Sequence, residues 1–194
     1  MRVSPHFALW LAGLAKAETQ TSENERAFLA ESARGLGRVA EIGVWHGVTT
    51  ARLKAAMSPK GVLYAVDPFS PGRLGFSMQA VIAKREVGAV RGCEVRWVRL
   101  PSELAAARAL AEGPLDLVFI DGVHTYEALA VDWGLWSAGV APNGLVALHD
   151  SASSSERSIE DAGSVKYTRE HVRLDARYSH VGTVDTLTLW RRLP

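Results

Sequence analysis

The chain has 194 residues, enough for one domain with a substantial buried core. Hydrophobic residues make up 47%, and 22 Lys and Arg nearly balance 21 Asp and Glu, for a formal charge of +1. Such a composition excludes a disordered chain and removes any bulk electrostatic case for nucleic acid or an anionic membrane as partner.

The single cysteine, Cys93, excludes an internal disulfide and a multi-cysteine zinc site. It points to a reducing compartment, the cytoplasm. No apolar run approaches the ~20 residues needed to span a bilayer. Arg2, the apolar run Phe7 to Leu14 and Ala15-Lys16-Ala17 have the outline of a short secretory signal. The competing reading is a helix over residues 5 to 16, with Ser4 as N-cap and Pro5 at the first helical position, and that capping pattern favours it. This apolar helix can pack on its own domain or on a second chain of a homo-oligomer.

Residues 22 to 34 form a second helix, with Phe28, Leu29 and Ala33 on one face, ended by Gly35-Leu36-Gly37. Together, residues 1–36 read as N-terminal helices ahead of a core over 37–194. Strand Arg38 to Ile42 is followed by a helix from Val48 to Met57, stopped by Ser58-Pro59. Strand Val62 to Val66 ends at Asp67, and a loop leads into a helix over Phe76 to Val90. Strand Glu94 to Val98 precedes an alanine-rich helix that starts at Pro101-Ser102-Glu103 and runs to Leu110. The fourth strand, Leu115 to Ile120, ends in Asp121, and a helix follows from Tyr126 to Ser137. After the turn Pro142-Asn143-Gly144 comes strand Leu145 to Leu148, ending in His149-Asp150.

Strands that are short apolar runs, alternating with helices, predict an α/β fold with a parallel sheet covered on both faces. A polar stretch, residues 156 to 172, predicts one more helix. The tail Tyr178 to Trp190 is β-branched and aromatic around a turn at Gly182 or Asp185, and predicts an antiparallel addition to the sheet edge.

The segment Glu41-Ile42-Gly43-Val44-Trp45-His46-Gly47 is a strand end, a glycine turn and a helix start. In a doubly wound sheet the ligand sits there, at the carboxyl ends of the strands. Gly43 and Gly47 are expected to let a ligand approach the backbone. Asp67, at the end of the second strand, is placed to accept both hydroxyls of a ribose. A dinucleotide site wants G-x-G-x-x-G, but Trp45 stands where the second glycine belongs and leaves no room for a pyrophosphate. Glu41 repels a phosphate and attracts an ammonium group. Glutamate, turn and ribose-binding acid together suit S-adenosylmethionine.

Three runs carry a more specific resemblance: Glu41 to Gly47; Ala65-Val66-Asp67-Pro68-Phe69; and Asp116 to Tyr126, with its Ile-Asp-Gly-Val-His-Thr-Tyr core. With Ala141 to Asp150 they are similar to class I S-adenosylmethionine-dependent methyltransferases, in the branch of macrolide-sugar and aminocoumarin O-methyltransferases. The resemblance implies a Rossmann-like seven-stranded sheet, mostly parallel with an antiparallel C-terminal strand. It implies that Glu41 and the Gly43 turn hold the methionine end, Asp67 the ribose, and Ser102 and Glu103 the adenine surroundings. Thr49 and Thr50 stand at the helix start as contacts or simple caps, and Phe69 flanks the adenine or belongs to the core.

Asp121 and Asp150 end strands that are neighbours in this fold, ~5 Å apart. Relatives put a divalent metal there, often Mg²⁺, which binds the acceptor hydroxyl and lowers its pKa. Many carry a further acid or amide after the second Asp, where this chain has Ser151. The plain alternative is that Asp121 makes an Asp-Gly turn and Asp150 caps the next segment. His124 is the candidate general base, with a helix-start histidine held by Asp121 as the alternative. Strand alternation turns His149 away from Asp150; His46 packs or faces solvent; Tyr126 packs with its hydroxyl near the site. The expected function is methyl transfer to a hydroxyl of a small molecule, a sugar among the acceptors. Two rivals are a nucleotide-dependent oxidoreductase and a protein that holds S-adenosylmethionine without transferring the methyl group. The short N-terminal part, which offers little lid, keeps the second alive.

Overall fold

A computed structural model describes residues 5–72 and 75–194 of the chain. The expected cap Ser4 and the basic Arg2 lie outside the described residues. Five parallel strands carry the core: β1 (Arg38–Ile42), β2 (Val62–Val66), β3 (Glu94–Val98), β4 (Leu115–Ile120) and β5 (Val140–Leu148). The tail forms β6 (Tyr178–Val184) and β7 (Leu187–Arg192). The seven strands lie in the order β3-β2-β1-β4-β5-β7-β6, and β7 runs antiparallel to both its neighbours. Successive strands are therefore laid down outward in opposite directions on either side of β1, and the crevice between the carboxyl ends of β1 and β4 is the switch point.

Period-two alternation along each strand splits the core into two layers. Ala40 and Ile42 of β1 face one side, with Val66, Val118, Leu148 and Trp190, under α5 (Ser102–Leu110) and α6 (Tyr126–Trp136). Val39 faces the other side, with Leu63, Leu117, Phe119 and Leu189, under α2 (Glu23–Ser32) and α3 (Val48–Ala56). All but a few of these side chains are fully buried, and each such burial stabilises by roughly 1.5–3 kcal/mol relative to exposure.

The strand limits agree with the sequence reading for β1 to β4. Differences lie at helix ends and at two irregular places. The first helix, α1 (Pro5–Leu11), stops five residues early, because Gly13 takes a positive φ of 75°. It packs on its own domain: Phe7 and Trp10 bury against Ile82 of α4 (Met78–Gly88), and Trp10 Nε1 donates to Glu86 at 3.0 Å. Pro142-Asn143-Gly144 does not precede the fifth strand but interrupts it, as a bulge with Asn143 at φ 65°. The polar stretch yields a shorter helix, α7 (Gly163–Glu170), with residues 151–162 as a loop. The tail hairpin turns at Asp185, at φ 49°, while Gly182 lies at a register shift. No helix of the described residues is long and apolar enough to cross a membrane.

Candidate active site

A cleft of about 780 Å³ opens at the carboxyl ends of β1, β2 and β4. Glu41, Gly43, Asp67, Ser102, Glu103, Asp121 and His124 all line it. Gly47 does not. Its Cα faces α4, where a Cβ would stand 3.0 Å from Ala83, and its φ of 76° caps α3. Gly43 has a comparable constraint. A Cβ there would lie 2.0 Å from the Asp121 carbonyl oxygen, so this glycine lets the β1 and β4 strand ends meet. Packing and backbone conformation thus call for glycine at both positions before any ligand is considered.

The turn between β1 and α3 is held from β2. Asp67 Oδ2 accepts hydrogen bonds from the Val44 and Trp45 amides at 3.1 Å each, and Oδ1 accepts from Phe69 N at 2.8 Å. The amides that would cradle a pyrophosphate are thus occupied by a carboxylate, which argues against a dinucleotide. A carboxylate has about four acceptor positions, so Asp67 keeps capacity for a further donor. Trp45 takes a φ of 48°, and its ring lies tilted against His46 with centroids 4.9 Å apart.

Glu41 is 1% exposed, and its Oε2 has no hydrogen-bond partner. Burial raises its pKa well above the ordinary carboxylate value, with Asp121 and Asp67 adding to the rise. A cation entering beside it would favour the ionised form and satisfy the orphaned oxygen.

The N-terminal segment is a wall of the cleft, not an absent lid. Glu18, Thr19 and Gln20 line it, and Glu18 N donates to His46 Nδ1 at 3.0 Å. Thr21 Oγ1 lies 3.1 Å from Thr49 Oγ1. Buried His46 stacks on His6 with ring centroids 5.2 Å apart. Behind this wall the capping box of α2 does a second job. Ser22 and Glu25 cap the helix reciprocally, and Glu25 Oε1 also accepts from Thr186 N and Oγ1 at 2.9 and 2.7 Å.

At the ends of β4 and β5 the polar residues gather differently from the expectation. Asp121 Oδ1 lies 2.8 Å from His149 Nδ1 and 3.6 Å from His124 Nε2. Asp150 stands at the edge of this group: its Oδ1 accepts from Arg157 at 2.7 Å and Thr186 at 3.0 Å and lies 3.7 Å from His149 Nε2, while Oδ2 lies 3.8 Å from His124 Nε2. The convergent set is Asp121, His124 and His149, not Asp121 with Asp150. His149, which strand alternation was expected to turn away from Asp150, is a central member, with Nε2 3.7 Å from Asp150 Oδ1. Its side chain is fully buried, with Glu25 Oε2 3.5 Å from Nε2. Neither ring nitrogen has an aligned hydrogen bond, so these contacts are ion pairs. Burial opposes charge on His149, but Asp121 and Glu25 outweigh it and raise its pKa to about 10. Ser151 turns its hydroxyl to Leu148 O and Thr188 Oγ1, away from Asp121.

The half-buried His124 has the opposite shift. Burial lowers its pKa, against the pull of Asp121 and Asp150. Two other expectations move. The Tyr126 hydroxyl points to His171 Nε2, at 2.6 Å, rather than to the cleft. Phe69 is core, buried among Val44, Ala65 and Ala83.

Asp132 is a cleft residue that sequence reading missed. It is buried in α6, accepts from the Ser102 hydroxyl, and Ser102 in turn accepts from Trp136 Nε1 at 2.8 Å. Burial raises its pKa. The signal was available as an acid between Val131 and Trp133 on an apolar helix.

Fold and cleft define a Rossmann-like protein that takes its ligand at the switch point of the sheet. Residues 40–151 match the family model for a Methyltransferase domain, over half of the chain, and the protein belongs to that family. Its fold is that of the class I S-adenosylmethionine-dependent methyltransferases. An O-methyltransferase from Bacillus cereus, solved with S-adenosylhomocysteine, is 18% identical at TM-score 0.63, over 96% of this chain and 87% of that one. The O-methyltransferase TomG of tomaymycin synthesis, from Streptomyces achromogenes, is 21% identical at TM-score 0.60, over 97% and 87%. An rRNA methylase from Streptococcus thermophilus is 13% identical at TM-score 0.60, over 91% and 100%. One fold thus carries small-molecule and RNA acceptors, and the acceptor must be argued from the site. No curated protein sequence is significantly similar to the chain.

Proposed function

We propose that the protein is a cytoplasmic S-adenosylmethionine-dependent O-methyltransferase acting on a hydroxyl of a small molecule, a sugar among the acceptors. Family membership supports methyl transfer, and the cleft supports the cofactor. Glu41 offers a buried acceptor for the ammonium group, and Asp67 keeps acceptor capacity for the ribose. Ser102, with Glu103 and Asp132 beside it, flanks the remaining wall for the adenine.

The observation that carries an oxygen acceptor is His124. Its Nε2 faces the cleft near two carboxylates, at distances too long for hydrogen bonds, and burial keeps the ring neutral. A neutral imidazole there takes the hydroxyl proton on Nε2 as the oxygen attacks the sulfonium methyl carbon. The carbon–sulfur bond breaks, its electron pair goes to sulfur, and S-adenosylhomocysteine leaves. Asp121 and Asp150 stabilise the imidazolium so formed. Alignment of oxygen, carbon and sulfur contributes much of the acceleration.

Magnesium does not fit the residues present. A hard ion prefers oxygen ligands, whereas two of the three convergent groups are imidazoles. One oxygen of Asp150, Oδ1, is already taken by Arg157 and Thr186. The test is S-adenosylhomocysteine release with hydroxylated acceptors. His124→Gln should lose about 10²–10⁴-fold in rate with cofactor binding retained, and a chelator should leave the wild-type rate unchanged. Full activity of His124→Gln, or loss with chelator, contradicts this reading.

A further inference from the structure

We propose that His46 is a positioning residue for the cofactor: as a neutral imidazole it latches the N-terminal wall to the turn between β1 and α3, and protonation of its ring releases that wall. This rests on the cofactor reading above and adds a pH-sensitive fastening to it.

Glu18, Thr19 and Gln20 line the cleft but belong to no helix or strand. Contacts from side chains must therefore hold them in place. At one end Thr21 Oγ1 lies 3.1 Å from Thr49 Oγ1 of α3. At the other, Glu18 N donates to His46 Nδ1 at 3.0 Å. His46 belongs to the turn itself, next to Trp45, whose amide is held by Asp67. One hydrogen bond thus joins the wall to the turn that seats the cofactor.

An amide N–H can be accepted only by a nitrogen that keeps its lone pair. While this bond stands, Nδ1 of His46 carries no proton, and the ring is neutral with its proton on Nε2. The hydroxyl contact at Thr49 sets no such condition. The surroundings of His46 favour the neutral ring. It is 4% exposed and stacked almost parallel on His6, whose Nε2 donates to the Lys16 carbonyl at 3.0 Å. Three titratable groups face it. Burial lowers its pKa; the Glu18 carboxylate, 4.0 Å from Nδ1, opposes this, His6 adds to it, and Glu86 of α4 opposes it.

When Nδ1 takes a proton, two hydrogens meet where one bond stood, and the Glu18 amide loses its acceptor. The nearest acid for the new imidazolium is the carboxylate of Glu18. It hangs on the same residue as the displaced amide, so that contact closes only as the Glu18 backbone shifts. Thr19 and Gln20 follow it. The cofactor then meets a correctly placed wall in only a fraction of the molecules, and its apparent affinity falls by that fraction. Loss of one neutral hydrogen bond sets the scale at about three- to tenfold.

Calorimetric binding of S-adenosylhomocysteine at about pH 7.5 and about pH 5, on either side of the histidine range, tests this. Wild-type affinity should fall about three- to tenfold at the lower pH. In His46→Gln the side-chain carbonyl accepts from Glu18 N at either pH, so affinity should stay near wild type at the higher pH and the fall should vanish. Glu18→Gln keeps the amide and removes the carboxylate, and should keep the fall. If His46→Gln folds poorly, the wild-type protein still decides: on acidification the NMR signals of the Glu18 amide and the His46 ring should move together. An affinity that does not fall, an equal fall in His46→Gln, its loss in Glu18→Gln, or a Glu18 amide that stays put while the ring titrates overturns the proposal. Failure of S-adenosylhomocysteine to bind at the higher pH overturns the cofactor reading instead.

Discussion

The carboxylate of Asp121 stands 2.8 Å from Nδ1 of His149, inside a wall where the imidazole has no solvent contact. On the far edge of the same ring lies Glu25 of α2. A cleft residue at the end of β4 is thereby joined to the N-terminal helix through one buried charge. The arrangement explains how a short N-terminal segment can serve as a fixed wall: Glu25 ties α2 to β5 and to the Thr186 turn of the tail hairpin at once.

Glu25→Gln tests that link. The amide keeps the shape and an acceptor for Thr186, but leaves a buried imidazolium with one carboxylate fewer. Breaking a buried ion pair from one side costs about 3–5 kcal/mol. Urea unfolding should show a loss of that order, and a loss below about 1 kcal/mol would contradict the ion pair.

The same pair sets a pH dependence. His149 is raised to about 10, so its contribution is full below the unfolded value near 6.5 and is lost as pH rises toward 10. Glu25 is lowered to about 2; burial works against this, but His149, Ser22 and Thr186 outweigh it. Its contribution is present above the unfolded value of 4.5 and is lost as pH falls toward 2. Melting temperature should therefore fall on both sides of a plateau between about pH 4.5 and 6.5. Glu25→Gln should flatten the acid limb, and an unchanged profile would count against the assignment.

Gly43→Ala should be among the most damaging single changes. The new Cβ meets a backbone carbonyl at 2.0 Å, and φ of 91° is hostile to any side chain. Overpacking of this kind costs about 1–3 kcal/mol before the backbone penalty is added. A variant that melts like wild type would show that the strand ends do not approach as described.

At Asp132 the burial argument predicts tolerance to one change and not another. Burial already favours the neutral acid, so Asp132→Asn should retain the melting temperature within a few degrees. Asp132→Leu removes the acceptor for Ser102 and should cost about 1–3 kcal/mol. Equal damage by both would mean that the carboxylate charge is needed.

The sheet was legible because the first four strands are short, mostly apolar segments of five or six residues, preceded by Gly37, Gly61, Gly92 or Pro114. Strands buried on both faces are recognisable from local composition. The bulge in β5 was not, since Pro142-Asn143-Gly144 carries the same turn chemistry whether it precedes a strand or interrupts one. In the cleft, Glu41, Asp67, Asp121 and His124 were readable from their places at strand ends. Ser22 and Glu25 have capping-box spacing that the sequence reading passed over, and nothing local foretells the reach of Glu25 to His149 and Thr186, 124 and 161 residues away in the chain. The surroundings of Gly47 and Asp150 were hidden for the same reason. Ala83 behind the one and Arg157 beside the other are long-range or loop partners that spacing does not encode.

The central claim is that the turn of Glu41 to Gly47, fastened by Asp67, seats S-adenosylmethionine. Thermal unfolding with S-adenosylhomocysteine tests it most directly. The predicted result is a rise in melting temperature that grows with ligand, worth about 2.7 kcal/mol at 100 times Kd, and that Asp67→Ala abolishes. No shift at millimolar S-adenosylhomocysteine would contradict it.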